Sequence, residues 1–179
     1  ILNNNHQTPL DIAIVNKNIH LIKYLLDQNA KSDHALIKAV KTDDMEVVEL
    51  VLKYFDTKFI NENTEEGTAL TIAAGNSNLE IVNKLLKIEG IDASLVNSDN
   101  LTALNIAIIK QEKEICNTIL DFYGENLKDQ VSQINESIRI FLRLFSSKVF
   151  GTKPKSIPIS GIVPILKRIL EVENVDLNC

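Results

Sequence analysis

Three histidines, two cysteines and a cluster of basic residues are the side chains through which this 179-residue chain could do chemistry. His6, His20 and His34 stand far apart, and none has a second His or Cys at the short spacing by which one element holds a metal ion. Cys116 and Cys179 are too few for a disulfide framework. There is no phosphate-cradling Gly-x-x-x-x-Gly-Lys loop, and the six glycines are scattered. Ser77 has no base near it in sequence, and no pair of acids stands out from ordinary surface carboxylates. These residue types in this pattern predict no catalytic group, no metal and no cofactor.

Charge is the more informative property. The net charge is −5, but residues 1–126 hold 11 Lys/Arg against 19 Asp/Glu, whereas residues 127–168 hold 8 against 2. Within the second block Arg139, Arg143, Lys148, Lys153 and Lys155 form a basic patch with no acid after Glu136. Such a patch suits an acidic protein, an anionic membrane surface or another polyanion, or else a solvated helix face that balances the acidic segment. It lacks the interleaved aromatics of a nucleic-acid motif, so no nucleic-acid partner is expected. No apolar run approaches the roughly 20 residues of a membrane span. The opening residues show no basic region followed by an apolar core, so no signal peptide is visible. With two cysteines, a reducing intracellular setting in the cytoplasm is the default expectation.

The elements that would position these groups are helices. The apolar fraction is 45%, aromatics make up only 5%, and Trp is absent. A core of Leu, Ile, Val and Ala suits close-packed helices. Residues 67–86, GTALTIAAGNSNLEIVNKLL, recur 34 residues later as LTALNIAIIKQEKEICNTIL at 101–120. An earlier copy is QTPLDIAIVNKNIHLIKYLL at 7–26, and a weaker one is HALIKAVKTDDMEVVELVL at 34–52. In each, a Leu and an Ala three residues apart share a helix face, and Ala at that place admits a close neighbour. A second stripe follows at Ile19/Ile22/Leu25/Leu26, Met45/Val48/Val51/Leu52, Leu79/Val82/Leu85/Leu86 and Ile115/Ile119/Leu120. Polar tetrads, Asn16–Ile19, Thr42–Met45, Asn76–Leu79 and Lys110–Lys113, separate the two helices of each copy. Helices this short are marginal alone, so each pair needs neighbours.

These columns resemble the ankyrin repeat. Its Thr-Pro-Leu-His tetrapeptide is matched by Thr8-Pro9-Leu10-Asp11, His34-Ala35-Leu36-Ile37, Thr68-Ala69-Leu70-Thr71 and Thr102-Ala103-Leu104-Asn105. Its Leu-Leu pair is matched by Leu25-Leu26, Val51-Leu52, Leu85-Leu86 and Ile119-Leu120. The chain departs from the family at the tetrapeptide His, absent from every copy, and at the inter-helix Gly, replaced by Lys17, Asp43, Ser77 and Gln111. Copy two starts only 26 residues after copy one, so the hairpin finger between them is expected to be missing or a tight turn. The resemblance implies an all-α ankyrin-repeat solenoid, less stable than a consensus array, with repeats at about 1–32, 33–60, 61–94 and 95–126. Cys116 falls in the core column of Ile22, Val48 and Val82, where a thiol is inert.

Beyond residue 126 the tetrapeptide is lost. Val131, Ile134, Ile138, Phe141, Leu142, Phe145 and Val149 predict one long helix, and residues 152–164, with three prolines, break it. Ile165, Leu166, Ile169 and Leu170 align with Ile81, Val82, Leu85 and Leu86, so a divergent fifth repeat with an insertion is expected over 127–179, within one continuous solenoid. Both ends look cut from a longer array.

By the same resemblance, finger tips and exposed first-helix positions line a concave face that touches a protein partner. Carried over by column, it comprises Asn4, Asn5, Gln7, Val15 and Asn16; Lys41 and Thr42; Thr64, Glu65 and Asn76; and Ser98, Asp99, Leu101, Ile109 and Lys110. Leu101 and Ile109 are apolar where solvent is expected, which makes them anchor candidates, unless they pack on an adjacent finger. The implied role is protein–protein recognition by a monomer, without small-molecule substrate. An alternative is the targeting arm of a larger enzyme such as a bacterial effector, which would work in a host cytosol.

Overall fold

The computed structural model describes Asn3, residues 7–124 and Pro164, which is helical and exposed. The basic patch, the long helix expected over 131–149 and the rest of the fifth repeat lie outside the described residues, as do His6, Asn4 and Asn5.

Among the described residues eight helices form four antiparallel pairs: α1 (Pro9–Val15) with α2 (Ile19–Asp27), α3 (Ala35–Lys41) with α4 (Met45–Lys53), α5 (Ala69–Gly75) with α6 (Leu79–Leu86), and α7 (Ala103–Lys110) with α8 (Lys113–Tyr123). The first helices stack α1 on α3 on α5 on α7, and the second helices stack α2 on α4 on α6 on α8. One continuous core runs between the two rows. Its inner columns are Leu10, Leu36, Leu70 and Leu104 with Ala13, Ala39, Ala73 and Ala107, all buried.

Each first helix except α3 starts on a threonine. The hydroxyl oxygens of Thr8, Thr68 and Thr102 accept the backbone N–H of Asp11, Thr71 and Asn105 at 3.1, 3.2 and 3.2 Å. Those three residues stand where the tetrapeptide His would be, and each returns a bond. The Asp11 carboxylate accepts the Thr8 N–H at 2.7 Å, the Thr71 hydroxyl donates to the Thr68 carbonyl at 2.9 Å, and Thr102 donates to Asn105 at 2.7 Å. The lost histidine is therefore replaced by other polar side chains that close the same first turn. His34, at the threonine place of α3, is in the left-handed region and makes no side-chain cap.

The missing inter-helix glycines leave a clearer trace. Lys17, Asp43, Ser77 and Gln111 all adopt positive φ, between 53° and 63°. At α1, α5 and α7 this residue and the next donate back to the helix end in a Schellman arrangement. Lys17 N–H reaches Ile14 O at 2.9 Å and Asn18 N–H reaches Ala13 O at 3.0 Å, with Ser77/Asn78 and Gln111/Glu112 doing the same. The following residue then caps the second helix: Asn18, Asp44 and Asn78 accept the N–H of Leu21, Glu46 and Ile81, whereas Glu112 makes no such bond.

Fingers join the pairs. Asn63–Thr64 (β1) and Gly67–Thr68 (β2) form a two-residue antiparallel hairpin. Gly67, at φ 114°, lies so close to the Thr71 hydroxyl that a side chain there would collide with it and crowd Asn97. The fourth finger is a turn in which Asn97 N–H donates to Leu101 O at 3.0 Å and the Leu101 N–H donates to the Asn97 side chain at 3.0 Å. Asn3 and Gln7 repeat that pairing ahead of α1. Between α2 and α3 there is no strand, only the turn residues 28–34, so the expected loss of a finger is observed.

Candidate functional site

First-helix positions that do not face the core fall in two columns. One runs Ile12, Lys38, Ile72, Ile106 and the other Val15, Lys41, Gly75, Ile109. Between the fingers ahead of α5 and α7 these columns line an open groove. Its floor holds Ile72 and Ile106, both partly buried, and its walls hold Lys41, Asn76, Asp99 and Leu101.

Four residues expected from the sequence therefore meet in one place: Lys41, Asn76, Asp99 and Leu101. Lys41 is pinned there by both carboxylate oxygens of Glu66, at 2.8 and 2.6 Å. Leu101 is half-buried rather than free in solvent, and so is Ile109. Glu65, Ser98 and Asp99 are exposed on the fingers. Val15, 57% exposed, and Asn16 lie two repeats away on α1. Gln7 is half-buried in the first finger, bonded to Asn3.

Several expected partner-binding side chains are already bonded within the scaffold. Asn76 donates to the carbonyl of Val40 at 3.2 Å, and Lys110 donates to the carbonyl of Gly75. Each ties a first helix to a carbonyl in the last turn of the first helix of the preceding repeat, where donors and cations are favoured. Thr42 donates to Ala39 O at 2.6 Å, and Thr64 joins the Gly67 carbonyl and the Glu66 N–H across its own hairpin. Glu66, Ile72, Ile106 and Asn97 line the groove and were not expected there. The signal for Ile72 and Ile106 was their place one past the tetrapeptide, on the helix face opposite the core Leu and Ala.

None of this geometry assembles a reactive group. Cys116 is fully buried, and its thiol is pushed up to about 12 by burial and, less, by Glu112. Tyr123 is likewise pushed up to about 12, mainly by burial, and its hydroxyl donates to Ala93 O at 3.0 Å. His34 Nδ1 lies 2.9 Å from Glu62. Among the described residues no group of three or more His, Cys, Asp or Glu could hold a metal ion. No helix among them is long and apolar enough to cross a membrane.

Comparison with protein families agrees with the stacked pairs. A family model described as ankyrin repeats (3 copies) matches residues 36–131, more than half of the chain, and a second, described as ankyrin repeat, matches residues 5–34. No curated protein matches the sequence.

Proposed function

This chain belongs to the ankyrin repeat family, and on that premise we propose that the groove between its fingers and first helices binds a partner protein. Ankyrin repeats are general protein–protein interaction modules, typically without catalysis of their own. The observation that carries the reading is the apolar patch of Ile72, Ile106 and Leu101 bordered by polar walls that include Lys41, Asn76 and Asp99. An apolar centre with a charged rim is the anatomy of a protein interface. Leu101 and Ile109 are the anchors on the last described repeat.

Affinity capture tests it, comparing the wild-type chain with Leu101→Asp and Ile106→Asp. Both residues are only partly buried, so helicity by circular dichroism should persist while a defined set of partners is lost. Tyr24→Asp, on the second-helix row at 62% exposure, should leave that set intact. Retention of every partner by both groove variants would remove this surface.

A further inference from the structure

The junction between the first two helix pairs differs from the others. Thr8 and His34 are 26 residues apart, whereas 34 separate His34 from Thr68 and Thr68 from Thr102. Among the described residues no hairpin covers this junction, and a cavity of about 190 Å³ opens there. Its lining includes the core residues Leu10 and Val51. It also includes residues that the core leaves in solvent: Phe59 is 48% exposed and Tyr54 is 39% exposed. Phe59 sits on a short 3-10 turn, Thr57–Phe59, that buries none of its residues.

The exposed part attracts cations. Lys58 Nζ lies 4.7 Å from the centre of the Phe59 ring and Lys53 Nζ 5.6 Å from that of Tyr54, so both rings already hold ammonium groups of this chain. Three carboxylates, Asp33, Asp56 and Glu62, line the cavity with one lysine, Lys31. Asp56 pairs with Lys58 and Glu62 with His34. The Asp33 backbone carbonyl accepts bonds, from Ser32 and Lys38, but its carboxylate meets no cation among the described residues.

We propose that this fingerless junction is a second docking site, for a protein segment that presents one large apolar side chain beside an arginine or lysine. The apolar side chain fills the cavity against the partly buried Leu26 and Phe55 and the exposed Phe59, which removes its surface and theirs from water. The neighbouring cation meets the Asp33 carboxylate and the Phe59 ring, an arrangement that suits arginine because its guanidinium is weakly hydrated and stacks on aromatics. An acidic neighbour would instead face the Asp33 carboxylate, since Asp56 and Glu62 already hold Lys58 and His34. The site is separate from the groove and does not depend on it.

Selection of a random displayed peptide library on the full chain tests the proposal. The enriched peptides should pair a large apolar residue with Arg or Lys, and the best of them, as a synthetic peptide, should bind about tenfold more weakly to Asp33→Lys. Phe59→Ser should weaken it as well. Both positions are exposed, and unchanged circular dichroism would show that the fold is kept. Leu101→Asp should leave this peptide unaffected. No enrichment, enrichment of peptides without a basic residue, or indifference to Asp33→Lys would overturn the assignment. A peptide lost with Leu101→Asp instead would place its binding in the groove, overturning this site and leaving the groove reading in place.

Discussion

Lys38 Nζ lies 2.6 Å from Asp11 Oδ1, joining α3 to α1 where the finger between them is missing. Asp11 is 2% exposed and also accepts from Ser32 and from the Thr8 N–H, whereas the Lys38 side chain is 29% exposed. The acid is thus the desolvated partner and the lysine keeps water. Burial alone would raise the Asp11 pKa, but the Lys38, Ser32 and Thr8 bonds together hold it below the ordinary carboxylate value.

The two partners should not be equivalent in mutation. Lys38→Met leaves a buried carboxylate without its cation and should cost about 3 kcal/mol, near the lower end for a broken buried pair. Asp11→Asn leaves a lysine that can hydrate, keeps an acceptor for Thr8, and should cost about 1–2 kcal/mol. Urea denaturation of both variants checks the order, and an equal or reversed cost would contradict it. Because the folded pKa is depressed, the Asp11 contribution is fully present above the unfolded value near 3.8 and is lost as pH falls through the lower folded value. Asp11→Asn should therefore remove part of the acid limb of the stability curve.

The left-handed column offers stability that the sequence leaves unused. A non-glycine residue at positive φ is strained by about 1–2 kcal/mol, part of which glycine returns as unfolded-chain entropy. Gln111→Gly should therefore gain about 0.5–1 kcal/mol, seen as a higher midpoint in urea. Asp43→Gly should gain less, because the Asp43 carboxylate accepts from Asn78 at 2.9 Å. A loss at Gln111 would mean that its backbone is not left-handed in solution.

How much of this was legible in the sequence follows from what burial enforces. The Leu and Ala columns had to repeat, because each helix pair is covered by the next, and they could be read without a structure. Lys17, Asp43, Ser77 and Gln111 could be read as missing glycines. That all four keep the glycine's backbone was hidden, because Schellman bonds at three of these turns and a side-chain cap after three hold the backbone whatever the side chain. The Asp11–Lys38 pair was equally hidden: each looked like an ordinary surface charge, and only the stacking of α3 on α1 brings them together. Ile72 and Ile106 were passed over because an Ile inside an apolar helix reads as core. They lie on the opposite face, and α7 is apolar on both sides, which blurs its periodicity.

The cap of α8 is the weakest of the second-helix caps. Glu112 makes no side-chain bond where Asn18, Asp44 and Asn78 each hold a backbone N–H. Glu112→Asn supplies an acceptor of the length used at Asn18 and Asn78, and should stabilise the chain by about 1 kcal/mol, while Asn78→Ala should cost a similar amount. Thermal unfolding of the two variants, moving in opposite directions, is the check.

Cys116 reports on the same helix. It packs in the α8 stripe with Ile115, Ile119 and Leu120, all buried. With the thiol at about 12, almost no thiolate exists near neutral pH, and the thiolate is the nucleophile. Modification by a disulfide reagent must then wait for α8 to open. In a Cys179→Ser background, Cys116 should be silent in native buffer on the timescale of its immediate reaction in denaturant. Gln111→Gly and Glu112→Asn, which tighten the turn into α8, should both slow the native-state reaction further. Rapid stoichiometric labelling of the folded wild-type helix would contradict both the burial of Cys116 and its reading as a core hydrophobe.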